Sequence, residues 1–249
     1  MIRWMRHSSA LCRAVWCSIT VALFTAAIAV GTTWATFPGR NGDIVFSRSG
    51  RIYVMKPNGS EKRQLTFGPA ADTFPAYSSS GKRIVFWRKF QGGRAHLYVM
   101  HADGSDLRRI PNTGRHDCCP AFSPNANRIV FQSDLHSYDQ QIWVMRVDGT
   151  DRHRLTHASR WSGAPVFSPD GRRIAFERTD GVYVMRRDGR HLRRVAKADT
   201  FDGPGFSPSG RKLAFERKGE IYTVRVDAPT NVGSPTTTLW MPGPSSPPA

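Results

Sequence analysis

The sequence has few cysteines, and it lacks the signatures of nucleotide-binding proteins and hydrolases. Only 4 of its 249 residues are cysteine, too few for a scaffold held together by disulfides. Neither a Walker pattern nor a dinucleotide-binding glycine pattern occurs. The serine elbow of α/β-hydrolases is also missing, and no α/β segment is present to carry a catalytic triad. These absences argue against a self-contained hydrolase or a nucleotide-dependent enzyme.

Acidic residues are also scarce relative to basic ones. The chain has 36 Lys and Arg against 19 Asp and Glu, a net charge of +17. Such a balance favours anionic partners, including nucleic acid, lipid headgroups and wall polymers. Hydrophobic residues make up 39% and aromatic residues 11%, which is typical of a folded globular chain.

The first 35 residues have the pattern of an export signal. Arg3, Arg6 and Arg13 precede an apolar run over 15–31, and small residues flank Trp34 at a peptidase-like site. We predict a signal peptide over 1–35. The alternative is an uncleaved membrane anchor, because the run is near the ~17-residue minimum for crossing a bilayer. In both cases the rest of the chain is expected outside the cytoplasm, periplasmic or secreted, and contacts a membrane only if the segment is retained.

An internal repeat of about forty residues occupies the chain after this segment. One aromatic residue marks each copy, with separations of 40, 45, 45 and 39 residues: Phe37, Tyr77, Phe122, Phe167 and Phe206. Seven residues after each aromatic an apolar triplet begins, at Ile44, Ile84, Ile129, Ile174 and Leu213. These triplets predict strands that are covered on both faces.

Turn-forming residues separate the apolar segments within each copy. The fullest first turn is Ser168-Pro169-Asp170-Gly171. The second turn is an Asn-Gly or Asp-Gly pair whose glycine is Gly59, Gly104, Gly149 or Gly189. Both turn types favour tight hairpins. Six residues beyond each of these glycines, an apolar residue predicts the centre of a further strand: Leu65, Ile110, Leu155 and Val195.

Four short strands per copy, repeated at this length, predict an all-β fold: a β-propeller of four-stranded blades, with five blades. The propeller is predicted over 36–240, with blades at about 36–67, 74–111, 119–157, 164–197 and 203–240. The outer strand of the fifth blade is expected from 236–240, from the start of the chain, or not at all. The proline-rich residues 241–249 are expected to form a disordered tail.

The combined pattern resembles the propeller repeat of the TolB family. It is fullest from Pro165 to Phe176 and from Tyr183 to Gly189, and Arg63-Gln64-Leu65-Thr66 supplies its last element. The resemblance covers about residues 35–226 and implies a partner-binding propeller outside the cytoplasm. Related repeats also occur in prolyl oligopeptidase-type enzymes. The family's propeller follows a separate α/β domain and works with a peptidoglycan-associated lipoprotein. The chain has no room for that domain between Ala35 and the first blade, so only the scaffold and a general binding role are carried over.

Candidate binding residues lie just before the innermost strands: Asp72, His116, Asp117, Trp161 and Asp202. In a propeller these strands line the central channel, so the residues should ring its mouth. An acidic and aromatic rim suits a peptide or a sugar. The alternative is that Asp72 and Asp117 only brace the turn before the strand.

No metal or cofactor is predicted, because the histidines show neither His-Glu-x-x-His nor another close ligand spacing. A site formed by His116 with Asp72 or Asp117 is left open as the alternative. The adjacent Cys118 and Cys119 are either two thiols or a strained vicinal disulfide.

Basic residues precede the second strand and occupy the outer strand of the repeats, which predicts charge spread around the rim. We therefore predict an exported, non-catalytic module that binds a protein or an anionic envelope polymer and no specific nucleic acid. The alternative is an enzyme acting on a carbohydrate or lactone with a metal in the channel. A third hypothesis is a subunit whose ring is completed by another chain.

Overall fold

The computed structural model describes residues 42–134, 140–157, 160–198, 203–227 and 237–239. The predicted signal segment and proline-rich tail lie outside these residues. The strands in the described ranges are β1 Ile44–Arg48, β2 Arg51–Met55, β3 Arg63–Gln64, β4 Ala71–Tyr77, β5 Arg83–Lys89, β6 Ala95–His101, β7 Arg108–Arg109, β8 Cys118–Phe122, β9 Arg128–Ser133, β10 Gln141–Arg146, β11 His153–Arg154, β12 Ser162–Phe167, β13 Arg173–Arg178, β14 Gly181–Arg186, β15 Arg193–Ala196, β16 Gly205–Phe206, β17 Lys212–Arg217, β18 Glu220–Arg225 and β19 Thr237–Leu239.

These strands form five antiparallel sheets in which each strand pairs with the next along the chain. The sheets are blade 1 (β1–β3), blade 2 (β4–β7), blade 3 (β8–β11), blade 4 (β12–β15) and blade 5 (β16–β19). The predicted all-β propeller with five blades is confirmed. Blade 1 has three strands within the described residues, and the aromatic residue that marks its repeat, Phe37, lies outside them. β19 pairs with β18, so residues 237–239 supply the outer strand of blade 5, which is one of the expected alternatives.

The core lies between neighbouring blades. The last residue of the apolar triplet is fully buried in blades 2, 3 and 4, where Phe86, Phe131 and Phe176 each have 0% exposure. Three clusters of buried side chains join blade 1 to blade 2, blade 2 to blade 3, and blades 3, 4 and 5. Each blade can therefore bury both of its faces only by packing against its neighbours, which is why the triplets show no polar alternation.

The outer strands are shorter than the sequence predicts. β3, β7 and β11 each contain two residues, and Leu65, Ile110 and Leu155 follow them instead of lying at their centres. In blades 1 and 3, the threonine of the Arg-x-Leu-Thr element provides the next hydrogen-bond acceptor for the neighbouring strand. Thr66 Oγ1 accepts the Ile52 N–H at 3.0 Å, and Thr156 Oγ1 accepts the Ile142 N–H at 2.9 Å. A side-chain hydroxyl thus accepts the backbone N–H that a carbonyl would accept in a longer strand.

The first turn of each complete blade is closed by a serine side chain. The Oγ of this serine accepts the backbone N–H five residues later at 2.9–3.0 Å in four blades, from Ser78, Ser123, Ser168 and Ser207. The second turn is closed by its aspartate. A hydrogen bond from the Ser105 hydroxyl lowers the pKa of Asp103, and one from the Thr150 hydroxyl lowers that of Asp148. The predicted turns are therefore stabilised by their own polar side chains.

The antiparallel order places the connections on two faces of the ring. Within the described residues, the first and second turns of the blades lie on one face, which we name the turn face. The connections between the second and third strands, and those between blades, lie on the opposite face, named the loop face. A 3-10 helix at Gln91–Gly93 belongs to the loop face. Among the described residues, no helix has the length and apolar character needed to cross a membrane.

Candidate functional site

The innermost strands share a bulge just before a proline. The pairing of β4, β8 and β12 shifts register there, and Phe74, Cys119 and Ala164 have φ of 53°, 53° and 51°. These three residues line a channel cavity of about 10 Å³ together with Pro120, Ala121 and Pro165. This volume suits about one water molecule, whereas small-molecule sites usually measure roughly 300–1,000 Å³. A ligand of this region would bind at the mouth of the channel and not inside this cavity.

Asp72, a predicted rim residue, is buried with 0% exposure. Its carboxylate accepts two hydrogen bonds from the Arg88 guanidinium, at 2.6 Å from Nε and 2.8 Å from Nη2. The guanidinium also lies 5.4 Å from the ring centroid of Phe86 and 4.9 Å from that of Tyr98. The two strands β4 and β5 are thereby joined by a buried ion pair that stacks on two aromatic rings.

Asp117 occupies the equivalent position in blade 3 and is also buried, with 1% exposure. Its oxygens accept bonds from Arg152 at 2.7 and 2.9 Å and from the Gly114 N–H at 3.0 Å. The Arg152 guanidinium lies 5.0 Å from the centroids of both Phe131 and Trp143. Since β9 carries Ser133 where β5 carries Arg88, the arginine comes here from the turn before the outer strand. The same buried contact between an aspartate and an arginine thus forms in blades 2 and 3 from arginines at different positions of the repeat.

Blade 4 completes the series with a neutral acceptor. Arg178 Nε donates to Ser162 Oγ at 3.2 Å, and its guanidinium lies over Phe176 and Tyr183 at 5.5 and 4.8 Å. The contact recurs in three blades, so it is part of the scaffold. Asp72 and Asp117 therefore form buried ion pairs at the start of the inner strand, and their charges are satisfied internally. The arginine four residues after the start of the triplet is the sequence signal that indicates this in blades 2 and 4.

His116 remains partly accessible on the loop face, with 29% of its side chain exposed. Its Nε2 accepts a hydrogen bond from Arg115 Nε at 2.7 Å, and its Nδ1 faces the Asp134 carboxylate. An acceptor Nε2 places the proton of a neutral ring on Nδ1. The structure brings His116 next to Asp134, and not into contact with either predicted metal partner.

Trp161 is half-buried in a polar network between blades 3 and 4. Its Nε1 donates to Gln140 Oε1 at 2.7 Å, and Gln132 Nε2 donates to the same oxygen at 2.6 Å. Gln132 Oε1 accepts the Ala164 N–H at 2.9 Å. The two glutamines join the loop face to the channel bulge, and no sequence pattern distinguishes them from ordinary polar residues. Asp202, the fifth predicted rim residue, lies outside the described residues.

The exposed charges of the loop face are mainly positive. Within the described residues, its exposed cations are Arg48, Lys89, Arg94, Arg115, Arg160, Lys197 and Lys218. Asp180 is half-buried and is in contact with Arg194 at 3.1 Å and Arg160 at 3.7 Å. In the same part of the chain, no group of three or more His, Cys, Asp or Glu is placed to hold a metal ion. The rim that the structure shows is basic and aromatic, not acidic.

Cys118 and Cys119 lie side by side, with their sulfur atoms 3.6 Å apart and no disulfide between them. Cys118 has 4% exposure, whereas Cys119 is half-buried and lines the channel cavity. Brief alkylation of the folded protein is therefore expected to modify Cys119 before Cys118, and unfolding should equalise the two. Fragment-ion mass spectrometry of the shared peptide measures this. Equal rates in the folded protein, or a two-proton mass loss with no labelling, would contradict the described arrangement.

The comparison with family models identifies the repeat. Residues 118–234 match the model of the TolB beta propeller domain. Over these residues the repeats are similar to those of TolB propellers. This match confirms the resemblance predicted from the sequence, and a search of curated proteins finds no match.

Solved TolB-type propellers share the fold. A protein from Agrobacterium tumefaciens described as a TolB matches with a TM-score of 0.63 and 18% identity, over 78% of this chain and 74% of that one. TolB from Acinetobacter baumannii matches with a TM-score of 0.62 and 21% identity, over 74% of this chain and 49% of the Acinetobacter protein. An oligogalacturonate lyase in complex with manganese matches with a TM-score of 0.56 and 12% identity, over 73% of this chain and 58% of that one. At these identities the matches show a common fold, and function has to be argued from the residues of the site.

Proposed function

We propose that the chain is an exported, non-catalytic binding module that holds an anionic protein or envelope polymer at its loop face. The TolB-type repeats support a propeller scaffold. The observation that carries the proposal is the state of the two predicted acids: Asp72 and Asp117 are buried against arginines. What remains accessible around the channel mouth is basic and aromatic.

The accessible groups suit a surface ligand. Phe74 is 37% exposed beside the channel, and Trp161 is half-buried at its edge. Aromatic side chains on a face whose exposed charges are mainly cationic supply contact area and charge complementarity to an anionic partner. The small channel cavity offers no room for a substrate, so recognition by the outer surface fits the geometry better.

The alternative, a carbohydrate or lactone enzyme with a channel metal, needs several ligands converging on one point. The described residues provide no such group, and the two carboxylates named for it are already neutralised. The manganese-containing lyase among the structural neighbours supports this alternative only at the level of fold.

Reversing charge on the loop face tests the proposal. In R115E/R160E, two exposed guanidiniums are replaced by carboxylates, and capture of the partner from envelope extract by the immobilised protein should fall roughly tenfold or more, because like charges then face each other. Quantitative mass spectrometry of the captured material is the measurement. The matched control K82E/R146E makes the same charge change on the turn face and should capture normally. Equal capture by the loop-face variant and the wild type would contradict the proposal.

A further inference from the structure

The turn face of blades 4 and 5 carries a concentrated group of cations. Seven exposed residues form this group, named here the basic patch: Arg172, Arg186, Arg187, Arg190, Arg211, Lys212 and Arg225. Three acids, Asp170, Asp188 and Asp227, lie on the same part of the face. The turns of blades 2 and 3 show the opposite balance, with the exposed cations Lys82, Arg108 and Arg146 against Asp103, Asp106, Asp148 and Asp151. The sequence predicts positive charge spread evenly around the rim, and this prediction is wrong. The exposed cations of the turn face are concentrated on blades 4 and 5.

Hydrogen bonds hold the turns of the basic patch together. The Arg187 N–H donates to the Arg172 carbonyl at 3.0 Å, which joins the two turns of blade 4. The Val226 N–H donates to the Arg211 carbonyl at 2.8 Å, which joins the turns of blade 5. Between the blades, Arg173 donates to the Gly210 carbonyl at 3.1 Å. The cations therefore lie on one continuous surface.

The three acids of this surface form hydrogen bonds or ion pairs with nearby residues of the same surface. Asp170 accepts the Arg172 N–H at 3.0 Å, Asp188 accepts the Arg190 N–H at 3.0 Å, and Asp227 pairs with Arg173 at 3.1 Å. Within the part of the chain that the structure describes, none of the seven side chains of the basic patch forms a salt bridge. Seven exposed cations therefore remain available to an external anion.

One apolar side chain is exposed among these cations. Leu192 is 41% exposed in the second turn of blade 4, two residues after Arg190. An exposed leucine in a turn that also carries exposed arginines is the pattern of surfaces that bind at the boundary between lipid headgroups and acyl chains. Single-stranded nucleic acid would instead require aromatic platforms for its bases, and no large aromatic is exposed on this part of the described surface.

We propose that the basic patch docks the protein on an anionic lipid bilayer. The arginines would contact headgroup phosphates, and Leu192 would enter the headgroup boundary. This interaction uses the turn face, and it is independent of the ligand proposed for the loop face. A bilayer under blades 4 and 5 leaves the loop face open to solvent.

Vesicle co-sedimentation of the full chain tests this proposal, with vesicles of phosphatidylglycerol and phosphatidylcholine in equal parts against phosphatidylcholine alone. Any binding through the apolar run at 15–31 would be common to all variants and to both lipids. R187S/R190S/R211S is expected to lower the phosphatidylglycerol-dependent partition coefficient roughly a hundredfold, at about fivefold per cation near the surface. Raising salt from about 0.1 M to 1 M should produce a similar loss in the wild type.

Two controls separate the basic patch from net charge and general hydrophobicity. K62S/K82S/R146S removes the same charge from exposed positions of blades 1–3 and should retain binding within about fivefold. L192S should weaken binding roughly fourfold, whereas L107S, at the matching position of blade 2, should have no effect. An equal loss in both triple variants, no loss in either, or binding of the wild type to soluble heparin but not to the anionic vesicles would overturn the proposal.

Discussion

Replacing Asp72 with alanine is expected to lower the free energy of unfolding by about 3–5 kcal/mol, because it leaves the Arg88 guanidinium buried without its counter-charge. Asp72 has 0% side-chain exposure and Arg88 has 10%, so solvent can replace little of the lost interaction. Urea denaturation followed by tryptophan fluorescence measures the change.

The double variant D72L/R88M provides the control for this prediction. Replacing both partners of a buried pair by apolar residues of similar size is often close to neutral, so most of the lost stability should return. The aromatic rings of Phe86 and Tyr98 remain to pack against the new side chain. A loss below about 1 kcal/mol in the single variant would show that the pair is more hydrated than the structure indicates.

Replacing Gly149 with alanine is expected to destabilise the fold by about 2–5 kcal/mol, combining backbone strain with overpacking. Gly149 has a φ of +86° in the second turn of blade 3. A Cβ at this position would lie 2.5 Å from the Pro111 carbonyl oxygen of blade 2. The Pro111 oxygen is a backbone atom and the position of a Cβ is fixed by its own backbone, so neither can move aside cheaply. Thermal and urea unfolding measure the loss.

Gly59 offers a matched control in blade 1. It has the same turn role and a φ of +82°, but nothing lies within 4 Å of an added Cβ. G59A should therefore cost only the left-handed strain, about 1–2 kcal/mol. Equal losses in G149A and G59A would contradict a contact between blades at this glycine.

These glycines show which features of the fold can be predicted from the sequence. The Asn-Gly and Asp-Gly pairs predict hairpins because glycine tolerates positive φ, and the structure confirms those turns. It also shows a second reason for glycine: Gly149 and Gly189 each meet the end of the preceding blade, at Pro111 and Leu155. Contacts between blades depend on the curvature of the ring, which no local pattern within one repeat encodes.

The candidate site was harder to predict than the fold. The repeat correctly places Asp72 and Asp117 at the start of the inner strand, but their burial depends on arginines that come from different places. Arg88 lies on the neighbouring strand, whereas Arg152 precedes the outer strand and replaces an arginine that β9 lacks. Sequence spacing alone gives the position of an acid, and only the packed structure shows which cation satisfies it.

The charge distribution illustrates the same limit. Counting basic residues along the repeat indicates an even rim, because every copy contains them. Burial and pairing change that picture: Arg128 pairs with Asp151 and Arg152 with Asp117 in blade 3, while the cations of the basic patch stay exposed. Which charges act on a partner is therefore decided by tertiary contacts.

Site-specific photocrosslinking tests the loop-face claim most directly. A benzoylphenylalanine replaces Arg115 on the loop face in one variant and Lys82 on the turn face in another, and each is irradiated in envelope extract. Both positions are exposed, so either variant should fold normally. We predict a discrete adduct from position 115 and none from position 82. Adducts from position 82 alone, or equal adducts from both, would contradict the assignment of the loop face as the binding surface.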